Sequence, residues 1–142
     1  MNAMKISKKE REILKDLSAR LIYGVKIRAT YPEIVDYDTN KVKNVTRDKT
    51  LDESDLDWLL HGCGKVKAFL RPMSSMTKKE YKEFNDFCVI DELARKGGNI
   101  QGYINQARIM QTGIDWLNEH HFDYRGLIEK GLAMRASEDI YK

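Results

Sequence analysis

Tyr23-Gly24-Val25-Lys26-Ile27-Arg28-Ala29-Thr30 is the stretch in which the chain changes its period. Before it, Ile13, Leu14, Leu17 and Leu21 recur at the spacing of one helix face, with Lys9, Glu12, Lys15 and Asp16 on the opposite one. Ser7-Lys8-Lys9-Glu10 ahead of that row is an S/T-x-x-E signature, in which a hydroxyl and a glutamate satisfy two free amides reciprocally. From Val25 the spacing drops to two. Val25, Ile27 and Ala29 alternate with Lys26, Arg28 and Thr30, which predicts a half-buried strand. Tyr31-Pro32 is expected to break it, since proline has no amide for a ladder.

Working outward, Ile34 to Tyr37 and Val42 to Thr46 read as two further short strands, with Asp38-Thr39-Asn40-Lys41 as the turn between them. Thr50-Leu51-Asp52-Glu53 repeats the capping signature and opens a short helix, Asp52 to His61, stopped at Gly62. Lys65 to Arg71 is a fourth short strand, ended by Pro72. Thr77-Lys78-Lys79-Glu80 opens a long helix with Tyr81, Phe84, Phe87, Cys88 and Leu93 turned inward, closed by Gly97-Gly98-Asn99. A further long helix runs from Ile100 to His121. Its row of Ile100, Tyr103, Ile104, Ala107, Met110, Ile114 and Leu117 is expected to face the core. Gly102 and Gly113 weaken that helix locally. A last short helix is expected over Tyr124 to Lys130, closed by Gly131. The order predicts an α+β fold. It has a small antiparallel sheet of three to four short strands in the first half, packed by an N-terminal helix and two long helices of the C-terminal half. No linker, repeat or low-complexity tract interrupts residues 1–142, which read as a single domain.

The totals limit the function classes. A net charge of +3 over 142 residues permits an acidic partner without demanding one. No apolar run approaches the roughly 20 residues of a membrane span. The charged start, M-N-A-M-K-I-S-K-K-E, lacks the apolar region of a signal peptide, and the two cysteines, Cys63 and Cys88, lie far apart. A cytoplasmic protein is the expectation, with no cofactor, and with Asn44-Val45-Thr46 carrying no weight as a glycosylation acceptor.

Three groups of residues are candidates for chemistry. His120, His121 and Asp123 form the first, the place where two histidines and a carboxylate fall together. Adjacent histidines on a helix point about 100° apart, so they cannot ligate one metal as an i, i+4 pair does. The better reading is a helix end with favourable charge at its carbonyl terminus, leaving a metal-dependent hydrolase as a minor alternative. Cys63 or Cys88 with a histidine would make a nucleophile, but no known signature surrounds either. Gly97-Gly98-Asn99 lacks the context of a phosphate loop, and Asp52, Glu53, Asp55 and Asp57 lack the spacing of a calcium loop. The third group is basic: Lys26, Arg28, Lys43, Arg47, Lys65, Lys67 and Arg71, joined by Lys41 and Lys49. On one sheet face, with Tyr31, Tyr37 or Phe69 to stack bases, they would make a nucleic-acid surface. A lysine-rich solvated face that discourages edge pairing is the competing and preferred reading.

Asp115 to Ala133 reads D-W-L-N-E-H-H-F-D-Y-R-G-L-I-E-K-G-L-A, followed by Ile140-Tyr141-Lys142. Together with Leu17-Ser18-Ala19-Arg20-Leu21-Ile22-Tyr23-Gly24-Val25 and Leu70-Arg71-Pro72-Met73-Ser74-Ser75-Met76-Thr77, it resembles a family of small uncharacterised proteins of gut bacteria, their phages and mobile elements. The three stretches span most of the chain in order. Ile22 stands where the family pattern has proline, and Cys88 to Gly113 finds no counterpart. The resemblance implies a cytoplasmic protein of phage or prophage kind and carries no catalytic residue. The expectation is therefore a non-enzymatic accessory protein, monomer or homodimer, that binds a macromolecule, more readily a protein than a nucleic acid. Within Asp115 to Ala133, Trp116, Leu117, Phe122, Leu127, Ile128 and Leu132 form an apolar thread, which predicts a helix end and a tail that folds back to close the core.

Overall fold

A computed structural model describes residues 6–88 and 100–142. Helix α1 (Lys8–Arg20) starts where expected, with Ser7 Oγ accepting the Glu10 amide at 3.1 Å. A 3-10 turn, Leu21–Tyr23, carries the chain to Gly24, whose left-handed backbone (φ 68°) makes the corner into the sheet. Strand β1 (Lys26–Asp36) and strand β2 (Lys41–Thr50) then form one long hairpin. Helix α2 (Glu53–Leu60), strand β3 (Lys65–Leu70), a 3-10 turn at Met73–Ser75, helix α3 (Lys78–Cys88), helix α4 (Ile100–Glu119) and strand β4 (Ala133–Arg135) follow. The sheet order is β2-β1-β3-β4. The class is α+β, as the period changes predicted.

Four details differ from expectation. First, β1 runs straight through Tyr31-Pro32. The Val25 carbonyl points toward β2, accepting the Leu51 amide, and the Lys26 amide points the other way. By alternation Pro32 has the Lys26 orientation, and β3 ends its pairing with β1 at Lys65, opposite Thr30. The absent proline amide therefore faces a side with no strand beside it, and no ladder bond is lost. Second, Thr50 does not cap α2. It ends β2, and Asp52 caps the helix with Asp55 in a reciprocal box. At Thr77 the expected box is complete, with Thr77 N–H to Glu80 and Glu80 N–H to Thr77 Oγ1, both 3.1 Å.

Third, Tyr124 to Lys130 is a series of turns, with Gly126 and Gly131 in the left-handed region, and the tail then adds β4 parallel to β3. The sheet is consequently mixed rather than antiparallel. Fourth, Tyr81, Ile100, Tyr103, Ile104, Ala107 and Met110 are exposed rather than inward. The side of α4 that meets α3 is instead the one carrying Trp116, whose ring lies 5.4 Å from Phe84. Leu93 and the Gly97-Gly98-Asn99 stop lie outside the described residues, as do the side chains of Phe87 and Cys88.

The core sits under one sheet face. Val25, Ile27, Ala29, Val66, Ala68 and Leu70 pack with Leu17 of α1, Leu59 of α2 and Leu127 and Leu132 of the tail. A second cluster, Trp116, Leu117 and Phe122, joins α4 to Met76 and Phe84. Gly64 is a required glycine. Its φ is 122°, and a Cβ there would overlap the Tyr31 ring and sit 2.8 Å from the Thr30 carbonyl oxygen.

Candidate functional site

The histidine stretch is a helix terminus. His121 adopts a left-handed backbone (φ 63°), its amide donates to the Asn118 carbonyl at 3.1 Å, and the Phe122 amide donates to the Leu117 carbonyl at 2.9 Å. That pair of bonds, with Phe122 packed on Leu117, is the Schellman stop usually built on glycine. The two imidazoles diverge. His120 stacks on Trp116 at 4.0 Å, with Nδ1 2.9 Å from the Trp116 carbonyl oxygen, whereas His121 stacks on Tyr141 at 3.7 Å. Asp123 accepts the amides of Leu127 and Ile128 at 2.8 and 2.9 Å. Burial, then the charge of Arg20, pulls His121 down to about 4, so its ring is neutral at pH 7. The expected dipole interaction at this helix end needs a protonated ring, which His121 does not supply. Among the described residues no group of three His, Cys, Asp or Glu side chains could hold a metal ion. The Cys63 thiol donates to the His61 carbonyl at 3.4 Å.

The stretches 17–25, 70–77 and 115–133 converge on Phe122, which is fully buried. Arg20 donates from Nη2 to the Phe122 carbonyl at 2.6 Å and from Nε to Asp16 at 2.9 Å, both residues being inaccessible to solvent. Asp16 was expected on the polar face of α1. It is buried because Arg20 and Arg125 supply cations; Arg125 Nε lies 3.4 Å from Asp16 Oδ1, which makes no hydrogen bond. Burial nonetheless raises the Asp16 carboxyl above its usual range, against the pull of Arg20. Arg71 packs its guanidinium 4.1 Å from the Phe122 ring centre, and its backbone exchanges bonds with His121 and Asp123 at 2.8 Å. Both Arg71 terminal nitrogens bond Glu80 at 2.7 Å, holding that carboxyl down to about 2. Tyr141 closes the arrangement. Its hydroxyl accepts the Lys26 amide at 2.9 Å and donates to the Phe69 carbonyl at 2.6 Å, bridging β1 and β3.

The basic candidates divide between two faces. Residues directly opposite in the ladder share a face, so Lys26, Arg28, Lys65 and Lys67 lie together on the side away from the core. Arg28 is taken by Asp48 through two bonds of 2.8 and 3.0 Å, and Lys26 Nζ bonds Thr50 Oγ1 at 2.8 Å. Lys43 and Arg47 lie on the opposite face, opposite Glu33 and Ala29, and Arg47 pairs with Glu33 at 2.7 Å. Lys49, on that same face, pairs with Asp52 and the buried Asp55. Arg71 stands apart in its pair with Glu80. Of the aromatic candidates, Tyr31 donates to Asp55 at 2.7 Å and packs on Trp58, and Phe69 is buried beneath Arg28.

Tyr37 leads to the most distinctive surface. Beyond Thr30, β1 pairs, among the described residues, only with β2, so the distal hairpin is a two-stranded ribbon. Ile34 and Val42 are a directly opposed pair on it, Val35 sits in a register shift, and Tyr37 at the turn is 83% exposed. Asn40 in a left-handed conformation and an Asp38 amide bonded to Asp36 make the turn. Tyr31 anchors the ribbon's root to α2, where Tyr31, Val45, Arg47 and Trp58 line a cleft of about 240 Å³. The apolar tip was legible only as strand propensity. The signal that it leaves the core is that Val42 and Val45 fall on opposite faces and Ile34-Val35 are adjacent, so no single face of the ribbon is apolar.

Comparison of the chain with protein-family models, with curated proteins and with solved structures gives no match in any of the three. Among the described residues no helix is long and apolar enough to cross a membrane.

Proposed function

We propose that the protein is a non-enzymatic accessory protein that binds another protein, with the β1–β2 ribbon as its contact arm. The observation that carries this reading is the exposed tip: Ile34, Val35, Tyr37 and Val42 project on a ribbon that pairs with no third strand among the described residues. An isolated two-stranded ribbon is marginal in water, and each large apolar side chain left exposed forgoes about 1.5–3 kcal/mol of burial. A partner's apolar pocket supplies that burial. Lys41 and Lys43 on β2, the edge strand of the sheet, oppose indiscriminate strand pairing and favour an acidic rim on the partner. The phage-associated setting has its support in the resemblance of those three stretches alone, and the cytoplasmic one also in two cysteines that lie far apart.

A photo-crosslinking residue at position 37 tests the proposal in cells. A discrete protein adduct is expected there, absent from a control position on α1 and abolished by Ile34→Ser with Val42→Ser. Adducts that survive the double substitution, or no protein adduct at all, would overturn it. The alternative, nucleic-acid binding, has one observation in its favour: Lys26, Lys65 and Lys67 share a face whose nearby acid, Asp48, is already engaged by Arg28. It predicts salt-dependent gel shifts lost on reversing those lysines.

A further inference from the structure

Helix α4 has two apolar faces. At about 100° per residue, Ile109, Gly113 and Trp116 fall on the side that meets α3. Ile100, Tyr103, Ala107, Met110 and Ile114 fall on the other side, spaced alternately three and four residues apart, with Ile104 beside them. This second row ends in the core, because Ile114 is half-buried and Leu117, next in the series, is buried. Toward the N-terminal end it is open. Ile100 is 78% exposed, Tyr103 69%, Ile104 39% and Met110 57%. Apolar residues at alternating three and four spacing are the pattern by which one helix meets another along its length. A solvated helix face has no use for it.

We infer that this row is a self-association seam, at which α4 packs on α4 of a second copy of the chain about a two-fold axis near Ala107. Three features favour a second copy over an unlike partner. The positions that flank the row at its centre, Gln106 and Gln111, are uncharged, so identical helices meet without like-charge repulsion there. Ala107, small and central, lets two identical helices approach while Tyr103 and Met110 fill the space on either side. The size also fits. Taking about 200 Å² for a fully exposed large side chain, the four residues offer roughly 500 Å² per chain, and a two-fold pair buries roughly 1,000 Å², the lower bound of a specific interface. The dimer is accordingly weak, in the micromolar range, and its seam is separate from the ribbon, so it stands or falls independently of the proposed partner contact.

Sedimentation equilibrium of the full chain reads this out. Wild type is expected to pass from monomer to dimer as concentration rises toward about 100 µM, and Met110→Glu and Ala107→Glu are each expected to remain monomeric with the wild-type circular dichroism spectrum. A cysteine at position 107, in a chain with Cys63 and Cys88 replaced by serine, is expected to oxidise to a covalent dimer. A wild type that stays monomeric throughout overturns the inference. So does a dimer that survives both glutamates, or one whose members fail to cross-link at position 107.

Discussion

Replacing Arg20 by methionine keeps the length of the side chain and removes its charge and both of its hydrogen bonds. Asp16, with no exposure to solvent, is left with Arg125 Nε at 3.4 Å as its nearest cation. The Phe122 carbonyl loses a 2.6 Å donor at the same time. Breaking one side of a buried pair costs about 3–5 kcal/mol, because the stranded ion is desolvated without compensation. Pairing the change with Asp16→Leu removes that ion, so the double variant is expected within about 1.5 kcal/mol of wild type, with a coupling energy of at least about 2 kcal/mol. Urea unfolding followed by the fluorescence of Trp116, which packs on Phe122 at 5.9 Å, measures all four corners of the cycle. The Asp16 carboxyl already titrates above its ordinary value, so the folded state holds its proton more tightly than the unfolded state does. The deficit of Arg20→Met should therefore shrink as pH falls from 8 toward 5. A single variant costing under about 1 kcal/mol, or a double variant equal to the sum of the singles, refutes the argument that the pair is a charge and its counter-charge.

Two further outcomes can be checked on the same instruments. Gly64→Ala should destabilise by about 2–4 kcal/mol, because its Cβ meets the Tyr31 ring at φ 122°, while Gly24→Ala, at φ 68° in open space, should cost nearer 1 kcal/mol; equal losses would show that close approach is not the cause. His121, held at about 4 in the fold against 6.5 unfolded, adds stability that is fully present above pH 6.5 and drains away as pH falls toward 4. Linkage sets that loss at up to about 3 kcal/mol, and solvent screening brings it nearer 2. His121→Asn, which tolerates the left-handed backbone, should flatten that limb of the pH profile, and an imidazole titrating by NMR near 6.5 would remove the explanation.

Much of the fold was legible because it depends on short-range chemistry. The change of period at Gly24, the Ser7 and Thr77 caps and the short strand that Pro72 ends each involve residues within a few positions of one another. The errors share a different character. Pro32 is harmless only because β3 stops short of it, a fact held by residue 65 rather than by residue 32. Strand β4 is three residues long, too short for alternation to show, and it exists because β3 offers it an edge. Asp16 looks like a surface residue until Arg20 and Arg125 are brought to it. The row on α4 was read correctly as a helix face, but which of two apolar faces turns inward was decided by Phe84 across the helix pair. Of the basic residues, alternation put Lys26 and Arg28 on one face correctly. The pairings of Arg28 with Asp48 and of Arg47 with Glu33 are cross-ribbon contacts that only register discloses.

The meeting of three distant stretches on Phe122 also governs the order in which this chain can fold. Arg20 and Phe122 are separated by 102 positions and Lys26 and Tyr141 by 115. Closing a loop of that length costs about 4 kcal/mol in chain entropy before any contact forms. During synthesis the first seventy residues leave the ribosome with Asp16 and Arg20 still uncovered and with β3 lacking its outer neighbour. The hairpin and α1 can form early from local contacts, whereas the contacts of Arg20 with Phe122 and of Lys26 with Tyr141 form late. Refolding should therefore be slow for a protein of this size, and the half-closed chain, with β3 as an open edge, is the species most exposed to aggregation.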